Sequence, residues 1–168
     1  EDSINFVKSD FKFHLTSVSN TYSDGIDSDF SSGEITESEF KKIIGDGIDL
    51  SGSNILISDT TLSLIGDKAI SIGEKSNVKV QNLNISNSKY GIVNKDESKL
   101  QGNNIKILDS TDYDIMAFTK KPYYSNSTLK LNDVEYEIKK SIIQTGHQAK
   151  INNLILNTQS IDVNTLYE

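Results

Sequence analysis

Asp24-Gly25-Ile26-Asp27 returns 22 residues later as Asp46-Gly47-Ile48-Asp49. Outward from this pair, the isoleucines extend into a column: Ile26, Ile48, Ile70, Ile92 and Ile115, at intervals of 22, 22, 22 and 23 residues. A serine column keeps step with it: Ser9, Ser31, Ser53, Ser76 and Ser98, at 22, 22, 23 and 22. A third column is apolar: Val18, Phe40, Leu62, Ile85 and Ile107. Three columns sharing one period in the low twenties, rich in β-branched residues, indicate a solenoid with one turn per repeat.

Within a repeat the hydrophobic period is two. After each serine come Phe11 and Phe13, Gly33 and Ile35, Ile55 and Ile57, Val78 and Val80, or Leu100 and Gly102. Alternation of this kind marks a strand with one buried face. Asp59, Asn82 and Asn104 then occupy equivalent turn positions, where short polar side chains tolerate left-handed backbone and can bond along the stack. A second strand carries Leu62, Ile85 and Ile107, and a second turn is assigned to Gly45, Gly66 and Gly91. The third strand holds the isoleucine column. Three strands per turn predict an all-β, right-handed, single-stranded parallel β-helix of about 22 residues per coil, the hand being that of parallel crossovers generally. The pattern breaks at 119–124, Thr-Lys-Lys-Pro-Tyr-Tyr, resumes at Ser127 with Leu129, Leu131 and Val134, and fades after that. Coils are expected over 1–133, and an atypical C-terminal cap of the same domain over 134–168, because a solenoid must cover its last layer.

A chain of 168 residues is one domain by length. The net charge of −7 speaks against nucleic acid as a partner. With no cysteine there is no disulfide or thiolate metal site. No apolar run approaches the roughly 20 residues that span a bilayer. The chain opens just before a full repeat, which suggests a piece, or the C-terminal part, of a longer protein. Residues 33–40, Gly-Glu-Ile-Thr-Glu-Ser-Glu-Phe, imitate the second half of an EF-hand loop, but Ser28 and Phe30 stand where its first carboxylates belong.

Polar residues outside the tube flank the isoleucine column. Asp24, Asp46 and Asp67 precede it. Asp27 and Asp29, Asp49, Glu74, Lys95, and Lys120 with Lys121 follow it. Stacking is expected to place Asp27 over Asp49, and Asp24 over Asp46 over Asp67, one strand spacing apart. Like charges opposed on neighbouring strands destabilise, so the stack calls for a cation, a lysine or raised pKa values. Three readings follow. One is a Ca²⁺ site on Asp24, Asp27, Asp46 and Asp49, since calcium takes hard oxygen ligands. Another is a carbohydrate groove with Asp24, Asp29, Asp67, Glu74, Lys120, Lys121 and Tyr123 as binding residues. The third is an ordinary solvated face. Paired carboxylates are the minimum for glycoside cleavage, and a lyase needs a base such as a lysine. Candidate catalytic groups are therefore Asp27, Asp46, Asp49, Lys68 and Lys95. The chain has no arginine to clamp a carboxylate bidentately. His14 and His147 offer no partner residues that would make either catalytic. Tyr123 and Tyr124, in the inserted segment beside Phe118, either stack on sugar rings or pack the loop.

The coil signature, with Asp-Gly-Ile-Asp and Gly-Asp-Lys-Ala-Ile-Ser followed by Ser-Asn-Val-Lys-Val, resembles the right-handed parallel β-helix superfamily over roughly residues 9–136. That superfamily includes pectate lyases, polygalacturonases, alginate lyases and epimerases, and phage tailspikes. Tyr22-Ser23-Asp24-Gly25 is similar to the Asn-Thr-Asp-Gly motif of polygalacturonases, and the resemblance would make Asp24 the matching aspartate. Gly66-Asp67-Lys68 has one acid where that family has two, and its Gly-His-Gly and Arg-Ile-Lys motifs are absent. The calcium and arginine pattern of pectate lyases is absent too. The resemblance implies a pectate-lyase-like repeat protein of the bacterial surface, secreted or in the cell envelope, whose partner is a polysaccharide or the remainder of a larger protein. A carbohydrate-active enzyme of hydrolase, lyase or epimerase type is one alternative, and a structural spacer is another.

Overall fold

A left-handed residue at each of three corners bends every coil. The first corner is Leu15, Glu37, Asp59, Asn82, Asn104 and Asp133, with φ between 48° and 55°. The second is Asn20, Lys42, Leu64, Asn87 and Asp109, with φ between 53° and 59°. The third includes Lys8, Phe30 and Gly52. A single αL residue turns the chain sharply without ending strand pairing, so the corners stack as regularly as the strands. At the first corner Asn82 Nδ2 donates to Asp59 Oδ1 at 2.7 Å and Asn104 Nδ2 to Asn82 Oδ1 at 2.9 Å, the expected bonding along the stack. The second corner differs from expectation. Gly45 and Gly66 lie beyond it without positive φ, and Gly91 belongs to the column of Gly25, Gly47 and Ala69 that precedes the isoleucines. Gly47 is required there by close approach, since a Cβ would come 2.6 Å from the carbonyl oxygen of Ala69.

The computed structural model describes residues 2–166, so the ends of the expected coil and cap segments, Glu1 and Tyr167-Glu168, lie outside the described residues. The chain winds through about seven turns of parallel solenoid. Its third strands begin with β1 (Ile4–Val7) and continue through β4 (Ile26–Asp29) and β7 (Ile48–Ser51). Their register is Ile4, Ile26, Ile48, Ile70, Ile92, Ile115 and Ser141. Both other columns pair as expected: Phe40 lies between Val18 and Leu62, with Ile85 and Ile107 beyond.

The isoleucines are at most 1% exposed from Ile26 to Ile115 and fill the tube one layer per coil. The serine column is a hydrogen-bond ladder rather than packing alone. Ser9, Ser31, Ser53 and Ser76 each donate a backbone N–H to the hydroxyl of the serine one coil on, at 3.0 to 3.2 Å. These hydroxyls satisfy donors that the corner would otherwise leave buried and unpaired. His147 ends the ladder. Its Nδ1 accepts the Ser127 N–H at 2.9 Å, which fixes the neutral Nε2–H tautomer, and Nε2 lies 3.1 Å from Thr119 Oγ1. Burial lowers the His147 pKa in keeping with that role.

Parallel register runs past residue 133 as far as β14 (Gln148–Ile151), where Leu131 pairs with Ile151. Asn152 and Asn153, at φ 49° and 66°, then make a two-residue hairpin turn. It leads into β15 (Leu154–Ile155), which pairs antiparallel to β14 and closes that sheet edge. The segment beyond β15 crosses the outside of the third-strand sheet. Ile161, Val163 and Leu166 pack there on a second, smaller core of Tyr90, Val93, Met116, Phe118 and Ile142.

Candidate functional site

Along the outer face of the third-strand sheet the side chains change character from one end to the other. Register puts Asp27 opposite Asp49, Asp49 opposite Ser71, and Ser71 opposite Val93, with Met116 next. One position upstream, Asp46 donates its N–H to Asp24 Oδ1 at 2.7 Å, and Lys68 donates its N–H to Asp46 Oδ1 at 3.0 Å. Acids therefore occupy the N-terminal coils, lysine and serine the middle, and an apolar patch the C-terminal coils. The C-terminal segment covers that patch, which leaves the acidic half of the face open. The third member of the Asp24–Asp46 stack is Lys68, not Asp67 as expected. A bulge between Ile65 and Lys68 adds a residue, so the Gly-Asp pattern falls out of step with the isoleucines.

Lys68 Nζ lies 3.3 Å from Asp46 Oδ1 and also binds Asp67, so Asp67 joins the cluster only through the lysine. Lys95 lies flat over Gly73, where a Cβ would come 3.0 Å from its Cε, and reaches Ser71 Oγ at 2.7 Å. Asp46, Lys68 and Lys95 are 6%, 7% and 8% exposed, so the charges that balance the stack are buried. Asp24, Asp46 and Asp49 each offer a carboxylate oxygen within 4.8 Å of the others, and Asp27 is outside that group. These three are the residues able to hold a cation. Two are already engaged, Asp24 by the Asp46 N–H and Asp46 by Lys68, which leaves few of the six to eight oxygens that calcium takes.

Burial pushes the Asp46 carboxyl up to about 7 against the pull of Lys68. It pushes Asp27 up to about 6, with Asp29 and Asp49 adding repulsion. Asp24 and Asp29 are raised chiefly by burial as well. Burial lowers Lys95, with Asp49 opposing. A carboxyl whose folded pKa exceeds its unfolded value stabilises fully below the unfolded pKa, and that stability is lost as pH rises through the folded one. For Asp27 the loss is complete above about pH 6. Asp27→Asn keeps an acceptor for Asn5 Nδ2, which donates to Asp27 Oδ2 at 3.2 Å. The variant is expected to gain about 1–2 kcal/mol at pH 8, after allowing for solvent screening, and nothing at pH 4. Thermal melts at the two pH values check this, and equal gains at both would show that ionisation of Asp27 carries no penalty.

The inserted segment forms the other border. Asp96, fully buried, accepts the N–H groups of Lys120 and Lys121 at 2.7 and 2.9 Å and turns the segment back over the preceding coils. Lys121 pairs with Glu74, which also accepts from Ser51 Oγ and Tyr124 OH, each at 3.4 Å. The Lys121 ammonium holds the Glu74 carboxyl below its usual range. Tyr123, 74% exposed, leans on Tyr124 with ring centroids 4.8 Å apart. Phe118, expected beside these tyrosines, is instead buried under the C-terminal segment. His14 lies on another face, with Nδ1 2.9 Å from Thr36 Oγ1.

The structure thus gathers Asp24, Asp27, Asp29, Asp46, Asp49, Lys68 and Lys95 on one sheet face, with Glu74, Lys120, Lys121 and Tyr123 on the bordering loop. The anchoring part of Asp96 shows in sequence only as one acid among many, because its partners are backbone groups of a segment outside the repeat. No helix is long and apolar enough to cross a membrane. No curated protein matches the sequence. A family model described as a right-handed beta helix region matches residues 4–165. Nearly the whole chain lies within that match, and the protein belongs to the right-handed β-helix family.

Proposed function

We propose that this chain is a polysaccharide-binding β-helix module of a secreted or cell-envelope bacterial protein, with the open aspartate face as its binding surface. The observation that carries the reading is the division of charge by depth. Asp24, Asp27, Asp29 and Asp49 are partly exposed, whereas Lys68 and Lys95 are buried and spoken for. A surface that offers carboxylate acceptors from adjacent strands, with an exposed tyrosine on its bordering loop, suits the hydroxyls and apolar ring faces of neutral sugars. It suits uronates poorly, because no accessible cation faces them on the open strands. The same burial argues against Lys68 or Lys95 as the base of a lyase.

One observation favours hydrolysis as a second reading. The carboxylate oxygens of Asp24, Asp46 and Asp49 approach within 4.8 Å, near the separation of about 5–5.5 Å found in retaining glycosidases. Affinity electrophoresis through gels containing galactomannan, dextran or polygalacturonate, with calcium and with chelator, tests both. Retardation by a neutral polymer, lost in Asp27→Asn/Asp49→Asn, is the expected result. Release of reducing ends that the same double variant abolishes would favour the enzyme. Loss of retardation in chelator would assign a cation to the aspartates. Absence of retardation by any neutral polymer would overturn the binding reading.

A further inference from the structure

Charge of the opposite sign gathers on a different face. The first strands of the coils include β2 (Asp10–His14), β5 (Ser32–Thr36), the start of β8 (Asn54–Gly73) and β14. From Asn54 onward, the outward positions of this stack hold no acid. They are amides, hydroxyls, Leu56 and four lysines: Lys79, Lys99, Lys130 and Lys150. In a chain with 24 acidic residues that is a marked segregation. None of the four lysines forms an ion pair among the described residues.

Lys130 stands directly opposite Lys150 on the neighbouring strand. Like charges so opposed destabilise a sheet, and here no side-chain carboxylate relieves them. On the aspartate face the same problem is met by buried lysines. Beside Lys130 and Lys150 lies a cleft of about 400 Å³, lined also by Lys99, Gln101, Thr128 and Gln148 and walled by Ile155 and Leu156 next to the closing hairpin. The cleft offers cations for anionic groups, amides and a hydroxyl for sugar hydroxyls, and an apolar wall.

We propose that this lysine cleft binds the anionic groups of an acidic polysaccharide, at a site separate from the aspartate face. Duplex nucleic acid carries one charge per about 1.7 Å of axis, far denser than these lysines, which are interleaved with uncharged residues. A glycan bearing one carboxylate or sulfate per sugar unit matches such interleaving better. The inference does not rest on the aspartate face being a ligand site.

Affinity electrophoresis through polygalacturonate or dextran sulfate, with plain dextran as the uncharged control and single-stranded DNA as a competing polyanion, provides the test. The intact chain is expected to be held by at least one acidic polymer. Lys130→Gln/Lys150→Gln is expected to weaken that retention at least tenfold, while Asp27→Asn/Asp49→Asn retains it. Both lysines sit on the outer surface of formed strands, and a thermal melt of the lysine variant, expected to be no lower than that of the parent, confirms an intact fold. Three results would overturn the proposal: no retention by either acidic polymer, retention unchanged in the lysine variant, or DNA competing as well as the acidic polymer itself. Retention by an acidic polymer through the lysines without retention by any neutral one would keep this inference while removing the aspartate-face reading.

Discussion

Lys68→Met is expected to destabilise the protein by about 3–5 kcal/mol at pH 8, the usual penalty for stripping one partner from a buried ion pair. Methionine matches the lysine stem in length, so packing changes little and the effect isolates the ammonium. Asp46, 6% exposed, is left with the backbone N–H of residue 68 and no neutralising charge. Asp46 already has a raised pKa with the lysine in place, and the variant raises it further. Native protein then binds a proton that the unfolded chain does not hold between the unfolded pKa and the new folded one. Stability of Lys68→Met must therefore recover as pH falls, and by pH 5 most of the loss should be gone. Asp46→Asn added to Lys68→Met should restore most of the stability at pH 8, since the amide carries no charge to strand. Urea unfolding of the single and double variants at both pH values measures this. A loss below 1 kcal/mol at pH 8, or one that does not change with pH, would mean that Lys68 does not balance Asp46.

The repeat was legible because each coil buries the same positions. The three columns that pair in the structure are those visible in the chain, from Val18 to Ile107 and from Ile26 to Ile115. Ile4, which heads the isoleucine column, also lies 22 residues before Ile26 and escaped notice only because a single preceding strand has no coil of its own. The corners were legible only where an Asn or Asp advertises the left-handed region. Leu15, Glu37, Lys42 and Leu64 adopt it against their own preference, held there by the strand pairing on either side. The acidic face could be read, but not its third layer, because a one-residue bulge separates Asp67 from the register that Lys68 occupies. The C-terminal segment carries no 22-residue pattern, so nothing in it announced that Ile161, Val163 and Leu166 would cover half of the third-strand face. The lysine cleft was hidden for a similar reason. Lys130 and Lys150 are 20 residues apart and meet only because the last coil is short.

Phe40→Ala is expected to cost about 3–5 kcal/mol, as large-to-small changes at fully buried aromatics do. Phe40 is wholly buried and stacks on Phe13 with ring centroids 5.9 Å apart. It also fills room that Gly25 leaves, since a Cβ on Gly25 would come 3.1 Å from its Cδ1. Its column neighbours are Val18 and Leu62. Phe40→Leu should therefore be tolerated far better, at roughly 1–2 kcal/mol, because an aliphatic side chain suits that column and leaves a smaller cavity. The distribution of the damage is as informative as its size. In a solenoid each layer touches only its neighbours, so stability is close to a sum of local terms. Loss of the Phe40 ring should loosen the coils on either side and leave distant ones nearly intact. Native-state hydrogen exchange is expected to show faster exchange from Asp10 to Ile43 in Phe40→Ala, with the strand from Lys99 to Leu108 little changed. Equal acceleration at Leu100, Ile105 and Ile107 would instead mean that the seven turns open as one cooperative unit, and the layer-by-layer account of this fold would fail.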